Sequence, residues 1–416
     1  MNFFINFFFQ KSKTAIRLLA EKFLIFLSFP FCMIIILISP YCLIRFGFLS
    51  SSRVGTFHYV SEIYLAEKKE KINITKIKNI DLFYFDRVIS NYLIASKIKQ
   101  LINVLPRLLV LPFHRTFIFL SSYSIFFSKY IIRNHNYFRD SKYLIEKHCP
   151  FIKLDKFEND LAKQYLKKIH LNKKKIAVFI VRDSAYLDSK FPATSWKDDN
   201  LRNDNVNNYI KSMNYLADNG YMVFRMGRTM SYKIKVDHPN IIDYAFNKLN
   251  SELLDFYLMA NCDICISSDT GIDCISDLNQ RPMGSVQFPL SWVKSQKSNA
   301  IFIPRKILNI KSNRFLTLIE MFQCDVVANR GYENLYKQNL QIVPSDENDI
   351  LNLTIELHKR LNKNFIETET DMNMQNIFWN IFFDQLKLHK DAINHDGTHK
   401  SKISSLFLRN NQWFLQ

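Results

Sequence analysis

Three short polar segments each follow an apolar run, and each carries groups suited to an anion. They are Val181-Arg182-Asp183-Ser184, continuing to Tyr186, Asp188 and Trp196; Arg225-Met226-Gly227-Arg228; and Ser267-Ser268-Asp269-Thr270-Gly271. In the third, a polar turn between a strand and a helix aims backbone N–H groups and a hydroxyl at one point, where the helix dipole favours negative charge. Phosphate is the natural occupant; the alternative is that Ser268 or Asp269 only caps the helix. Arg182 and Arg225 sit at the ends of runs expected to be central strands, so two guanidiniums on one rim would grip a phosphate in bidentate fashion. The alternative for each is an ion pair with a neighbouring carboxylate, such as Arg182 with Asp183 or Asp188. Asp183 and Asp188 are candidate general bases, because a carboxylate beside a bound donor takes the proton of an attacking hydroxyl. Asp188 also reads as a solvated loop acid. The chain has no GxxxxGK[ST] and no GxGxxG, and no DxD pair stands near a strand end. The ATPase and dinucleotide readings therefore lack their phosphate loop, and no metal is expected.

The elements that must position these groups alternate in type. Ile176–Val181 is a short run rich in branched residues, hence a buried parallel strand. From Val206 to Asp218 the apolar residues fall on one helix face, with Asp204 or Asn205 as cap and Gly220 just past the end. Tyr221–Arg225 is the next strand. After Ile241–Tyr244, Ser251 caps a helix carrying Leu253, Leu254, Tyr257 and Leu258; then come a strand over Asp263–Ser267, a helix over Thr270–Leu278 and a strand over Gly284–Phe288. This rhythm predicts a doubly wound parallel sheet, whose ligands sit beyond the carboxyl ends of the strands. Earlier in the chain Ile80–Phe85 reads as a strand of a small α/β domain and Asp155–His170 as a helix, ended by the charged link Asn172–Lys175. Near the end, Ser345 is expected to cap a helix bearing Ile350, Leu353, Leu357 and Leu361.

Length and charge bound the rest. The chain has 416 residues, 48% of them hydrophobic and 23% charged, which excludes a disordered or collagen-like protein and leaves room for two or three domains. Lys and Arg number 56 against 38 Asp and Glu, a net charge of +18. Residues 1–150 hold 21 basic and 8 acidic side chains, so most of the excess lies in the first third. That same third holds Phe23–Ile44, 22 residues without a charge, long enough to cross a bilayer but interrupted by Pro30 and Pro40. A span and a re-entrant or interfacial hairpin both fit it, and basic residues on both flanks leave the orientation open. Leu101–Ile132 alternates apolar blocks with Arg107, His114, Arg115 and Lys129, which suits either a buried helix or an interfacial helix meeting anionic headgroups. The seven cysteines are scattered through apolar runs and read as buried thiols; Cys262 and Cys265 form a CxxC with no second pair nearby to complete a zinc site. No stacking platform accompanies the charge, so nucleic acid is not an expected partner.

The segments RFGFLSSSRVG (45–55), IVRDSAYLD (180–188), LADNGYMVFRMG (216–227), DFYLMANCDICISSDTGID (255–273) and KISSLFLRNN (402–411), taken in order, resemble a family of bacterial glycosyltransferases associated with surface-polysaccharide and lipopolysaccharide genes. More distantly, the strand, SSDTG turn and helix are similar to the donor half of heptosyltransferase-type enzymes of the two-domain GT-B fold. The resemblance implies two Rossmann-like α/β domains facing a cleft behind an N-terminal hydrophobic membrane segment. It divides the chain into a membrane segment 1–49, an acceptor-side domain 50–173, a donor-binding domain 174–340, and a helical region 341–416 packing back on the N-terminal domain. It implies metal-independent transfer from a nucleotide-sugar co-substrate, with no other cofactor, to a lipid-linked or polysaccharide acceptor at the cytoplasmic face of an inner membrane. Arg182 and Asp183 become catalytic candidates; Ser268, Asp269, Thr270, Gly271 and Arg225 become donor-phosphate residues; Tyr186, Asp188, Arg53 and Gly55 become substrate contacts. One departure is that members often carry a His directly after the Gly of the Arg-x-Gly motif, where Thr56 stands here and His58 comes two residues later. The rival reading is a non-catalytic lipid- or polysaccharide-binding protein using the same anion pocket.

Overall fold

The computed structural model describes residues 2–72, 77–132, 140, 143–168, 174–291, 297–327, 332–389 and 400–416, with side chains from residue 19 onward except at 332. Part of the expected link at 172–175 lies outside the described residues. The chain forms two compact units, residues 1–137 and 138–416. The division falls earlier than the expected boundary at 173, because the helix Lys156–Lys167 packs on the helix Glu252–Asn261 of the second unit.

The first unit opens with the helix Asn2–Ile38, followed by strand β1, Cys42–Leu49. The apolar run expected over Phe23–Ile44 is therefore helix and then strand. Pro40 explains the change: a proline without an N–H, with its restriction on the residue before it, ends the helix, whereas Pro30 is tolerated inside it. β1 runs parallel to β2, Lys78–Phe85, in register from Cys42 opposite Lys78 to Leu49 opposite Phe85, and the helix Val54–Lys69 makes the crossover. Single parallel bridges extend the sheet on both sides, Phe46 to Ile131 and Phe83 to Val104. In chain order this is the 3-2-1-4 arrangement of a mononucleotide-type fold in reduced form. Arg45 and Asp81 lie opposite each other in the register and are joined by two bonds of 2.6 Å; the Tyr64 hydroxyl donates to the same carboxylate at 2.7 Å. Burial alone would raise the Asp81 pKa, yet Arg45 and Tyr64 bring it below its ordinary value.

The second unit is built on a seven-stranded sheet: β3 Lys175–Ile180, β4 Tyr221–Met226, β5 Ile241–Ile242, β6 Ile264–Ser267, β7 Met283–Phe288, β8 Ala300–Pro304 and, from the end of the chain, Lys402–Ile403. The order is Lys402–Ile403, β8, β7, β6, β3, β4, β5, all parallel. Renumbered from β3 it reads 3-2-1-4-5-6 plus one edge strand, the doubly wound order with its reversal between β3 and β6. The four central strands, β3, β4, β6 and β7, are buried on both faces, in keeping with their largely apolar runs. A small antiparallel sheet of β9 Lys306–Asn309, β10 Arg314–Phe315 and β11 Leu340–Val343 stands beside it.

Two expectations change here. The helix over 347–361 is capped by Asp346, which accepts from the N–H groups of Asn348 and Asp349, and not by Ser345. The carboxyl-terminal region 341–416 was expected to pack on the N-terminal domain. Instead Ile350, Leu353, Leu357, Phe378, Phe382 and Phe407 are buried in one core with β3, β4, β6 and β8. The physical reason is the edge strand: once Lys402–Ile403 pairs with β8, the helices on either side of it are held over the second unit's sheet.

Gly47 sits opposite Phe83, and a Cβ there would stand 2.5 Å from the ring and 3.2 Å from Ile132. Gly47→Ala is expected to destabilise the first unit by about 1–3 kcal/mol, read as a lower thermal midpoint by circular dichroism, because the overpacked ring has no free volume to enter.

Candidate functional site

The reversal of strand order sends the loop after β3 and the loop after β6 to opposite sides of the sheet, which opens a crevice between the two carboxyl ends. Both loops are the ones whose residue types suit an anion. They are tied at their roots: the Ser268 N–H donates to the Ile180 carbonyl at 3.0 Å, and the Arg182 N–H donates to Ser268 Oγ at 2.8 Å. Ser268 is thereby a tie between strands more than a free hydroxyl. Asp269 follows with φ +61°, a left-handed conformation that Asp tolerates better than most residues and that turns the chain sharply across the strand end.

Beneath the turn lies Asp273. Its Oδ2 accepts from the Ser267 hydroxyl at 2.6 Å and from the Thr270 N–H at 3.0 Å. Burial, and next the negative charge of Asp269, push its carboxyl up to about 7. Thr270 Oγ1 takes the capping position over the Asp273 amide but makes no hydrogen bond there. The helix expected over Thr270–Leu278 is shorter than its pattern implied: a 3-10 turn, Gly271–Asp273, leads into one α-turn, Cys274–Leu278. So short a stack of peptides has little macrodipole, and affinity for an anion must come from the arginines and individual N–H groups instead.

The arginines come partly from where the sequence did not point. Arg182 donates from Nε to the Asp199 carbonyl at 3.2 Å, and its guanidinium lies 3.9 Å from the Asp199 carboxylate. Arg202 is ion-paired with the same carboxylate and places Nη1 3.8 Å from Asp269 Oδ2. Arg182, Asp199, Arg202 and Asp269 thus form one half-buried chain of alternating charge along the crevice. Asp199 and Arg202 sit in the charged segment KDDNLRND, to which the sequence assigned no role. Only the i,i+3 spacing of the pair hinted at a fixed geometry.

Other expected site residues take different places. Arg225 lies inside β4, is only 1% exposed, and donates to Asp243 Oδ1 at 3.1 Å, while Asp243 Oδ2 accepts from the Ile234 N–H at 2.9 Å. It is a structural ion pair and does not join Arg182 at the rim; the strand runs one residue past the expected end, which turns Arg225 into the core. Asp183 accepts from the Ala185 N–H at 3.1 Å and from the Ser231 N–H at 2.8 Å. Each of its oxygens accepts one of the bonds that fasten the β3 loop to the loop after β4, so it positions that loop. Gly227, at φ +152°, allows the turn that brings Ser231 there. Tyr186 is half-buried and its phenol is pushed up by burial; Asp188 is exposed on the same short helix, Ala185–Lys190. Arg53 and Gly55 belong to the first unit, at the start of the helix Val54–Lys69, with Arg53 exposed and Gly55 buried. His58 is fully buried 3.6 Å from Glu62 on that helix, an internal pair. Cys262 and Cys265 are fully buried, as expected of core thiols. Among the described residues no three His, Cys, Asp or Glu side chains are grouped to hold a metal ion.

No family model matches the chain, and no curated protein matches it. Among solved structures the chain is similar to the ADP-heptose lipopolysaccharide heptosyltransferase II of Escherichia coli, with 12% identity over 63% of this chain and 90% of that one and a TM-score of 0.35. It is also similar to a glycosyl transferase of family 9 from Veillonella parvula, with 10% identity over 62% and 86% and a TM-score of 0.36. A third is the E. coli heptosyltransferase WaaC with ADP, at 12% identity over 63% and 93% and a TM-score of 0.27.

The elevated Asp273 carboxyl has a consequence for stability. A carboxyl whose folded pKa lies above its unfolded value of 3.8 favours the folded state when protonated, so its contribution is lost as pH rises from about 4 to about 7. Within that window the folding free energy should fall by up to about 1.4 kcal/mol per pH unit from this group. Asp273→Asn should flatten the slope, measured by urea unfolding at a series of pH values; an unchanged slope contradicts the assignment.

Proposed function

We propose that the second unit binds a nucleotide-activated sugar at the β3–β6 crevice and that the protein is a glycosyltransferase. The observation that supports this most is the placement of the Arg182–Asp199–Arg202 chain and the Ser268–Gly271 turn at the strand-order reversal of a 3-2-1-4-5-6 sheet. In glycosyl transfer the bond from the anomeric carbon to the phosphate oxygen breaks, and the nucleoside diphosphate leaves with both electrons of that bond. The largest developing charge is therefore on the leaving phosphate, and guanidiniums and N–H groups brought beside it stabilise the transition state more than the ground state.

In this reading Arg182 and Arg202 turn from Asp199 toward the diphosphate, while the Thr270 hydroxyl and the N–H groups of the turn meet its oxygens. Two cations stand in for a metal ion, so transfer proceeds without one. Asp183 holds the β3 loop in place, and Asp188 and Tyr186 line the approach to it. Asp273, just beneath, is poised to take up a proton as the anion arrives. The acceptor is a lipid-linked or polysaccharide chain of a surface glycan, met at the cytoplasmic face of an inner membrane, where the basic first unit favours an anionic surface.

Thermal-shift titration with ADP and UDP tests the donor site. One of them should raise the melting temperature, and Arg182→Ala should weaken that ligand by at least about tenfold, in line with about 1.5–3 kcal/mol for a charged hydrogen bond. Thr270→Ala should weaken it less. Sugar-nucleotide hydrolysis by the wild type then separates an enzyme from a binding protein. If neither nucleotide stabilises the protein, the donor-site reading is wrong; if a nucleotide binds but no sugar nucleotide is turned over with or without acceptor glycolipid, the protein is a binder.

A further inference from the structure

The apolar helix at the start of the chain carries a window, Leu19–Ile38, with a mean hydropathy of 2.2, long enough to cross a membrane. Its packing argues for another placement. Ser28, Cys32, Ile35 and Ser39 are buried on one stripe at helical spacing, held against the helix Arg107–Tyr123 and β1 in a core with Phe46, Val110, Leu111 and Phe117. The two helices run in the same direction. The Arg107 guanidinium, at the start of its helix, lies 3.6 Å from Glu21, and farther along both helices Ser28 and Thr116 share a hydroxyl hydrogen bond of 2.8 Å, with Thr116 also 3.4 Å from the Ile25 carbonyl.

Ser28 stands at the centre of the apolar window. If that window crossed a bilayer, Thr116 and its exposed neighbour Arg115 would lie at mid-depth, where a guanidinium costs about 3 kcal/mol even on the lenient insertion scale. A helix lying in the plane of the interface removes this cost, since Arg115 then reaches the headgroups. The rest of the surface agrees. Phe26 at 77% exposure, Leu37 at 73% and Ile34 lie on the side of the first helix turned away from its buried stripe, and Leu109, Phe119 and Tyr123 at 75% are exposed on the second. Exposed Arg115 and Lys129 stand among them, Lys129 over the Phe126 ring at 4.0 Å, in the manner of cationic side chains that bury their stems and keep their charge at the headgroup level. Exposed apolar side chains on both helices with Arg115 and Lys129 among them, in the part of the chain that carries most of the positive charge, match one leaflet of an anionic membrane better than a protein partner.

We infer that the paired helices Leu19–Ile38 and Arg107–Tyr123 lie flat in one leaflet of an anionic membrane, anchoring the protein from one side without crossing it. The inference rests on the membrane placement proposed above and not on the donor site. Its test uses the full chain on phosphatidylcholine vesicles containing phosphatidylglycerol. Added tryptophans at Phe26→Trp, Leu37→Trp and Phe119→Trp, read over the native signal, should all be quenched by lipids brominated near the headgroup and little by lipids brominated near the chain ends. Phe119→Asp combined with Tyr123→Asp should weaken vesicle binding by about tenfold or more, with an unchanged circular dichroism melt and an unchanged nucleotide-induced shift. Deep quenching at Phe26→Trp with shallow quenching at Leu37→Trp would mean a span and overturn the inference. Absence of quenching at all three positions, with self-association in solution, would mean that the face is a contact between copies and would overturn it equally. The nucleotide arm keeps failure of the anchor distinct from failure of the donor site.

Discussion

The tie between the ends of β3 and β6 governs the candidate site. One serine, Ser268, accepts from the Arg182 N–H and donates its own N–H to the Ile180 carbonyl, so neither loop can move without the other. It works because the strand order reverses there: with no neighbouring crossover to cover them, the two loops must satisfy their own backbone groups, and they do so against each other. From that tie follow the left-handed turn at Asp269, the position of Thr270 over Asp273, and the approach of Arg202 to the turn. The alternating charges of Arg182, Asp199, Arg202 and Asp269 balance one another, which an arginine pair alone would not do.

The two units divide the chemistry by composition. The second unit is nearly balanced in charge and carries its cations as placed residues. The first carries the surplus, and its apolar surface is concentrated on two adjacent helices whose inner faces are already occupied. In the anchoring inferred above, a bilayer would serve as a further packing layer for an α/β unit that is otherwise small.

How much of this the sequence revealed follows from which interactions are local. The alternation of strands and helices from Ile176 to Phe288 was legible because β3, β4, β6 and β7 are buried on both faces and so read as largely apolar runs. The polar turn at 267–271 was legible because its residue types are wrong for either neighbour. The fates of Arg225 and Asp183 were not, since each depends on a partner many residues away, Asp243 and Ser231, whose approach is set by tertiary packing. Asp199 and Arg202 were hidden for the same reason. The strand Cys42–Leu49 was absorbed into a supposed membrane segment because hydropathy alone does not distinguish a lipid-facing residue from one facing a sheet; Pro40 was the local signal that the helix had ended.

The central claim is that the crevice between β3 and β6 receives the diphosphate of a nucleotide sugar. A crystal structure of the protein soaked with the nucleotide that stabilises it tests this most directly. The account predicts phosphate oxygens within hydrogen-bond distance of the Arg182 guanidinium and of the N–H groups between Asp269 and Gly271, with Asp199 displaced from at least one arginine. A diphosphate bound elsewhere, with the Arg182–Asp199 contact undisturbed, would contradict it.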